Sequence, residues 1–218
     1  MHYKITNETE LKAMTKNGTP RGRIVRRLGV NIFGNPKYDA LLARKPAAPG
    51  KAPKSRAGKK SEYALQLAEK QKYRDAYGLG ERQFRNLYLQ ASRSEGSTGE
   101  ALLIALESRL DNIVYRLGWA PSRPAARQLV THGLLAINGK RLDKPAAALK
   151  PGDELELTAG GALVERMASL APRWPAGPSW LEKREGQERP AARVLSKHKA
   201  DEVFIRGDIR RVVEYYAR

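Results

Sequence analysis

The chain has 218 residues and a mass of 24.3 kDa, room for one large domain or two small ones. Lys and Arg number 41 against 23 Asp and Glu, a net charge of +18 with a pI near 10.2, so the partner that best relieves the self-repulsion is a polyanion. Cysteine is absent. That excludes disulfides, thiolate nucleophiles and Cys-ligated zinc, and it fits a reducing compartment. No apolar run approaches the roughly 18 residues of a membrane span, and a start containing Glu8 and Glu10 with no apolar stretch does not read as a secretion signal. Membrane and secreted classes are therefore not expected. At 41% hydrophobic residues the chain can still form a core.

The positive charge is concentrated at the N-terminal end. Residues 1–60 carry 15 Lys and Arg against Glu8, Glu10 and Asp39. Arg21, Arg23, Arg26 and Arg27 crowd one short stretch, and residues 44–60 hold seven basic residues, Lys54, Arg56, Lys59 and Lys60 among them, and no acid. Pro46, Pro49, Pro53, Gly50 and Gly58 forbid a regular helix there. Charge spread along an extended segment suits an arm laid along phosphates, and order is expected to begin near Ser61.

Residues 62–77 are rich in good helix formers and end at Gly78. In the next segment Phe84, Leu87, Tyr88 and Ala91 fall at i, i+3, i+4 and i+7, an amphipathic helix that carries Arg82 and Arg85 beside its apolar stripe. After a turn at Ser94–Gly99, Ser97 and Glu100 form a capping-box pattern. Leu103, Leu106, Leu110, Ile113, Val114 and Leu117 follow at helical spacing and predict one long helix to about Leu117, with core leucines and a basic stripe of Arg109 and Arg116 flanking Asn112. Ser122 and Pro124 start a second helix that ends at Gly133, with Arg123 and Arg127 on one face and Leu129 and Val130 toward the core. Only Trp119, Ala120 and Pro121 separate the two, so they must cross at a sharp angle. Asn138-Gly139, flanked by Leu135, Ile137 and Leu142, is a hairpin signal. Pro151-Gly152-Asp153 turns the chain into an alternating strand over Glu154–Thr158.

The run ESRLDNIVYRLGWAPSRPAARQLVTHGLLAINGKRL resembles the compact RNA-binding module named after the fourth protein of the small ribosomal subunit. The preceding EKQKYRDAYGLGERQFRNLY, and the later PSWLEKRE and DIRRVVEYYAR, resemble the rest of that ribosomal protein. The likeness to the S-four family spans about residues 21–218 and is weakest before residue 61. It implies an α+β fold: a basic arm over 1–60, a helical domain over 61–97 completed by 169–218, and the module inserted at 98–168. Trp174 and Trp180, among Pro172, Pro175 and Pro178, would anchor the returning chain on the first helical layer.

The resemblance also implies a structural, primary rRNA-binding protein of the small subunit. Such a protein binds the 5′ domain of the rRNA at a helix junction, nucleates assembly and contributes to translational accuracy. Its neighbours would be the fifth small-subunit protein and the mRNA entry region, on a cytoplasmic or organellar ribosome. The module's RNA surface would be Arg109, Arg116, Arg123, Arg127, Gln128, His132, Asn138 and Lys140. The upstream helices would add Lys70, Lys72, Arg74, Tyr77, Arg82, Gln83 and Arg85. Some relatives hold a zinc ion with four N-terminal cysteines; this chain has none, so no metal or other cofactor is expected, and residues 44–60 depart from the commoner form.

Two other classes share the module. Pseudouridine synthases and some tRNA synthetases carry it, and Arg109-Leu110-Asp111 resembles the surroundings of one synthase group's catalytic aspartate. Here Asp111 continues into Asn112-Ile113-Val114 on a helix and reads as a salt-bridge or helix-surface residue, so catalysis is not expected. His2, His132 and His198 are too scattered for a metal, and Gly78-Leu79-Gly80 is a helix break with no phosphate-loop pattern. A stand-alone RNA chaperone would need neither the helices at 62–94 nor the C-terminal likeness.

Overall fold

Among the residues described by the computed structural model (19–50, 61–158, 177–184, 189–198, 202–203, 205 and 207–217), eight helices and five short strands form. They divide into two units, one drawn from Met1–Leu89 and Ile205–Arg218, the other from Gln90–Phe204.

In the first unit, order begins well before Ser61. Helix α1 (Arg21–Leu28) ends at Gly29, whose left-handed φ of 71° returns its N–H to the Val25 carbonyl at 2.8 Å. Helix α2 (Pro36–Arg44) starts where the Asn35 side chain accepts from the Lys37 N–H at 3.1 Å, with proline in its first turn. Ile24, Val25, Ile32 and Tyr38 are buried, so this stretch has apolar surface to hide and folds. The arm expected over residues 1–60 is thus partly a helical pair: the charge density of α1 masked the apolar positions between its arginines. Lys54, Arg56, Lys59, Lys60 and Trp174 lie outside the described residues.

Helix α3 (Glu62–Ala76) is capped by Ser61, and α4 (Glu81–Ala91) buries Phe84, Tyr88 and Ala91 as its spacing predicts. The C-terminal helix α8 (Ile209–Tyr216), capped by Asp208, packs along α3. Just before it the chain passes so close to α3 that a β-carbon on Gly207 would lie 2.7 Å from the Glu69 carboxylate and 3.1 Å from the Tyr73 ring. A larger residue there would have to push the Glu69 carboxylate aside and crowd the Tyr73 ring.

The second unit begins with α5 (Thr98–Glu107), whose N-terminus is capped by Ser97. The predicted long helix does not continue to Leu117: it breaks at Ser108-Arg109 and restarts as α6 (Leu110–Arg116). The cause lies elsewhere in the chain. The N–H groups of Leu110 and Asp111 bond to the carbonyls of Ala147 and Pro145 at 2.8 and 3.2 Å, and Leu149 donates to the Ser108 carbonyl at 3.0 Å. The segment at 145–149 therefore satisfies backbone groups that a continuous helix would have paired internally. Helix α7 (Arg123–Thr131) follows Ser122 as expected and packs on α6.

The strands β1 (Leu135–Ile137), β2 (Lys140–Arg141), β3 (Glu154–Leu157), β4 (Leu181–Arg184) and β5 (Ala191–Val194) form one antiparallel sheet in the order β2-β1-β3-β5-β4. Leu135 pairs with Leu157, Leu155 with Ala192 and Leu181 with Val194. Alternation puts all six on one face, buried with Leu110, Ile113, Val114, Leu117, Ala126 and Val130. The alternation of Glu154–Leu157 predicts β3; β4 and β5, too short and charged to stand out, gain their apolar partners only through this register. Trp180 is buried in the same cluster. Strands β4 and β5 therefore complete the module's sheet, whereas the sequence places 169–218 in the helical domain, with Trp180 anchoring the returning chain on the first helical layer.

Leu110 is fully buried at the centre of this cluster. Leu110→Ala is expected to lower the unfolding free energy by about 2–5 kcal/mol in chemical denaturation; a loss under about 1 kcal/mol would mean that the α6–sheet contact is not the core of the unit.

Candidate nucleic-acid interface

In the second unit the helix break creates an internal polar network. The Asn112 amide donates to the Glu107 carbonyl at 3.1 Å and to its carboxylate at 2.8 Å, replacing a helical N–H that the break removed. Arg123 donates from Nε to the side-chain Oδ1 of Asn112 at 2.8 Å and lies 4.5 Å over the Tyr115 ring. Arg109 grips Asp111 with two bonds of 3.0 and 2.8 Å, and Arg127 reaches the same carboxylate at 3.3 Å. Arg116 lies 3.7 Å from the Glu107 carboxylate and donates to the Glu202 carbonyl at 2.8 Å.

These contacts correct the reading of the basic stripe. Arg109 is only 5% exposed and Arg123 7%, and both guanidiniums face protein groups. The stripe assumed one continuous helix; the break rotates Arg109 inward, where Asp111 is its partner. Asn138 adopts the left-handed φ of 50° that its turn requires. Its amide donates to Asp153 at 2.9 Å, and its carbonyl oxygen accepts from the Glu154 N–H at 2.9 Å, so its side chain locks the hairpin. Of the residues expected to meet RNA, His132, Asn138 and Lys140 are exposed in this unit, and Arg127, with 39% of its side chain exposed, and Gln128 are half-buried. His132 also caps α7, and Arg141 donates to its carbonyl at 3.2 Å.

The first unit repeats the pattern. The Lys70 ammonium is buried: it donates to Glu81 at 2.7 Å and lies 4.4 Å over the Tyr215 ring. Glu81 also accepts from Arg74 at 3.2 Å and from the Tyr216 hydroxyl at 2.8 Å. Partial burial pushes the Glu81 carboxyl up, but the Lys70, Tyr216 and Arg74 bonds outweigh it and hold the group below its ordinary value. Burial, and then the bond to Glu81, push the Tyr216 hydroxyl far up, so it stays a neutral donor. Asp75 is buried between Arg74, at 2.8 Å, and Arg27, at 3.1 Å. Lys72 pairs with Glu69 at 2.6 Å, and Tyr77 is buried at 4%.

Lys70, Tyr77 and, largely, Arg74 therefore belong to the packing of α3, α4 and α8. Arg23, Arg82, Gln83 and Arg85 face solvent, the last three along the outer side of α4. Arg21 lies 5.2 Å over the Phe33 ring, and Arg26 donates to the Ala47 and Ala48 carbonyls at 3.0 and 3.5 Å. Exposed Arg93, Arg141, Lys144 and Arg193 were not singled out by the sequence, because they sit in turns and short strands that give no periodic signal.

Two outcomes follow from this division. Arg109→Ala leaves the buried Asp111 carboxylate with only the single Arg127 bond at 3.3 Å and is expected to cost about 1–3 kcal/mol of stability, whereas exposed Arg85→Ala stays within about 0.5 kcal/mol; thermal and denaturant unfolding separate them, and equal losses would contradict the internal role. Because the folded pKa of Glu81 is depressed, its contribution is full above the ordinary value of 4.5 and is lost as pH falls through the folded value. Acid unfolding followed by circular dichroism should accordingly be shallower in Glu81→Gln than in the wild type; parallel curves would remove Glu81 from that role.

Comparison with known proteins gives a concordant picture. Residues 16–107 match the family described as Ribosomal protein S4/S9 N-terminal domain, and residues 108–155 match the S4 domain, so the junction between the two falls at the break between α5 and α6. The small ribosomal subunit protein uS4 of Treponema denticola is 45% identical over 201 residues, 91% of this chain and 97% of that protein. The protein of the same name from Borrelia duttonii is 38% identical over 212 residues, 94% and 99% of the two chains. With two adjoining family matches and relatives aligned along nearly their whole length, the chain belongs to the uS4 family of small ribosomal subunit proteins.

Proposed function

We propose that this protein is a structural constituent of the small ribosomal subunit that binds its rRNA directly. The observation that carries the reading is the near full-length likeness to uS4 proteins, spanning both the N-terminal and the S4 domains. The net charge of +18 supplies the physical means. The finer reading is that the target is a helix junction in the 5′ domain of the rRNA, that binding there nucleates assembly, and that the mature position adjoins the fifth small-subunit protein and the mRNA entry region, where it bears on decoding accuracy. No catalytic step is part of the function; Asp111, the residue that most resembles a catalytic aspartate, is buried and clamped by two arginines.

An RNA junction presents phosphates at irregular angles, so it is recognised through shape and through phosphate and 2′-hydroxyl contacts. Arginine suits this because its planar fork bonds phosphate at two points and stacks on bases. The surface proposed to do so comprises Arg23, Arg82, Gln83 and Arg85 in one unit and Arg127, Gln128, His132 and Lys140 in the other. The internal arginines act one step back, by holding the elements that carry these side chains.

Affinity for a 5′-domain transcript, measured beside an unrelated structured RNA of equal length at two salt concentrations, tests the reading. A preference for the 5′ domain should persist at the higher salt. Combining Arg82→Ala with Arg85→Ala should lower the log–log salt slope by about 2 if each meets one phosphate. Equal affinities that collapse together with salt would reduce the protein to a general polyanion binder.

A further inference from the structure

Two buried aspartates share an arrangement that the binding surface alone does not explain. Asp111 on α6 is gripped by an inner arginine, Arg109, and shares its Oδ2 with an outer one, Arg127, at 3.3 Å. Asp75 on α3 is gripped by the inner Arg74, through Nε at 3.2 Å and Nη2 at 2.8 Å, and accepts from the outer Arg27 at 3.1 Å. Both carboxylates are buried, with 8% and 2% of their side chains exposed, and the outer arginines keep 39% and 46%. Among the described residues the arrangement occurs once in each unit.

An outer guanidinium that only neutralised the carboxylate would be redundant, because the inner arginine already does so through two bonds. Arg127 bonds Asp111 through Nη1 alone, and Arg27 bonds Asp75 through Nη2 alone. Among the described residues neither has another hydrogen-bond partner for its guanidinium. A guanidinium carries five N–H donors, so most of each fork stays open. Two arginines on one aspartate also leave a local charge of about +1, which still attracts an anion. Arginine is among the side chains that lose most rotamer freedom on being fixed. One tethered in advance by a buried, itself immobilised carboxylate gives up less of that freedom when it bonds phosphate.

We propose that Asp75 and Asp111 are positioning residues for RNA binding, each a buried carboxylate that holds one surface arginine, Arg27 or Arg127, oriented with its open donors available to a backbone phosphate. The inference rests on the rRNA-binding reading above and assigns a role to two acidic residues of a basic surface. It carries a sign opposite to that of charge alone. Replacing either aspartate by asparagine raises the net charge from +18 to +19, which by itself tightens binding to any RNA; loss of positioning weakens it.

The experiment is a double-mutant cycle on the full chain, comparing the wild type, Asp111→Asn, Arg127→Ala and the double variant. Binding is measured at one fixed salt concentration to the 5′-domain transcript and to the unrelated RNA, with thermal unfolding and circular dichroism recorded for each protein. Asp111→Asn is expected to bind the transcript on the order of tenfold more weakly, to bind the unrelated RNA as tightly as the wild type or more so, and to add no further loss once Arg127 is alanine. Equal or tighter binding of Asp111→Asn to the transcript, or losses that multiply in the double variant, would overturn the proposal. Should Asp111→Asn fail to fold, the equivalent cycle of Asp75→Asn with Arg27→Ala decides by the same criteria. A wild-type chain without preference for the transcript defeats the rRNA reading and this inference together. A preference retained alongside an additive cycle defeats positioning alone.

Discussion

A guanidinium removed from water is unfavourable unless its donors find acceptors, and the second unit is arranged around meeting that condition at one helix break. The interruption at Ser108-Arg109 turns Arg109 inward, leaves the Glu107 carbonyl to the Asn112 amide, and brings Asp111, Asn112 and Glu107 within reach of arginines from α6 and α7. The break is stabilised from outside, by backbone bonds to residues 145–149. Because α6 is set by those bonds, so is the angle at which Leu110, Ile113, Val114 and Leu117 meet the sheet. The charged network and the apolar cluster are two sides of one short helix. Neither is free to shift without the other.

The same economy appears in the first unit, where Glu81 gathers Lys70, Arg74 and the Tyr216 hydroxyl and so joins α3, α4 and the C-terminal helix. The chain contains nearly twice as many basic as acidic residues. An isolated excess charge in the interior would be prohibitive, so buried Asp75 and Asp111 each engage two arginines and buried Glu107 engages Arg116 and the Asn112 amide. The cations left over face solvent. A strongly basic protein is thereby divided into arginines that hold the fold and arginines that face solvent, with Arg27 and Arg127 partly in both groups.

Much of the candidate surface was legible in the sequence because surface charge on a periodic helix is a local property. Phe84, Tyr88 and Ala91 fix the buried side of α4, and Arg82 and Arg85 then have no other place than outside. Arg109 and Arg116 escaped this logic, since the same spacing argument assumed a helix that tertiary hydrogen bonds interrupt. A sequence window cannot register the Ala147 and Pro145 carbonyls, which lie dozens of residues away. Arg123 illustrates the complementary case: its N-terminal position on α7 was legible, but its burial over Tyr115 depends on how α7 crosses α6.

By itself the sequence determined helices α3, α4 and α7, the capped start of α5, the hairpin at Asn138-Gly139 and the polyanionic nature of the partner, because each follows from local spacing, turn chemistry or summed charge. The tertiary structure alone decided that α1 and α2 are ordered, that β4 and β5 extend the sheet beside β3, and which arginines lie inside. Those outcomes depend on pairing between distant segments. A four-residue strand is too short to declare itself until an apolar neighbour such as Leu155 supplies a register, and a guanidinium has no inside or outside until a carboxylate such as Asp111 is brought within reach.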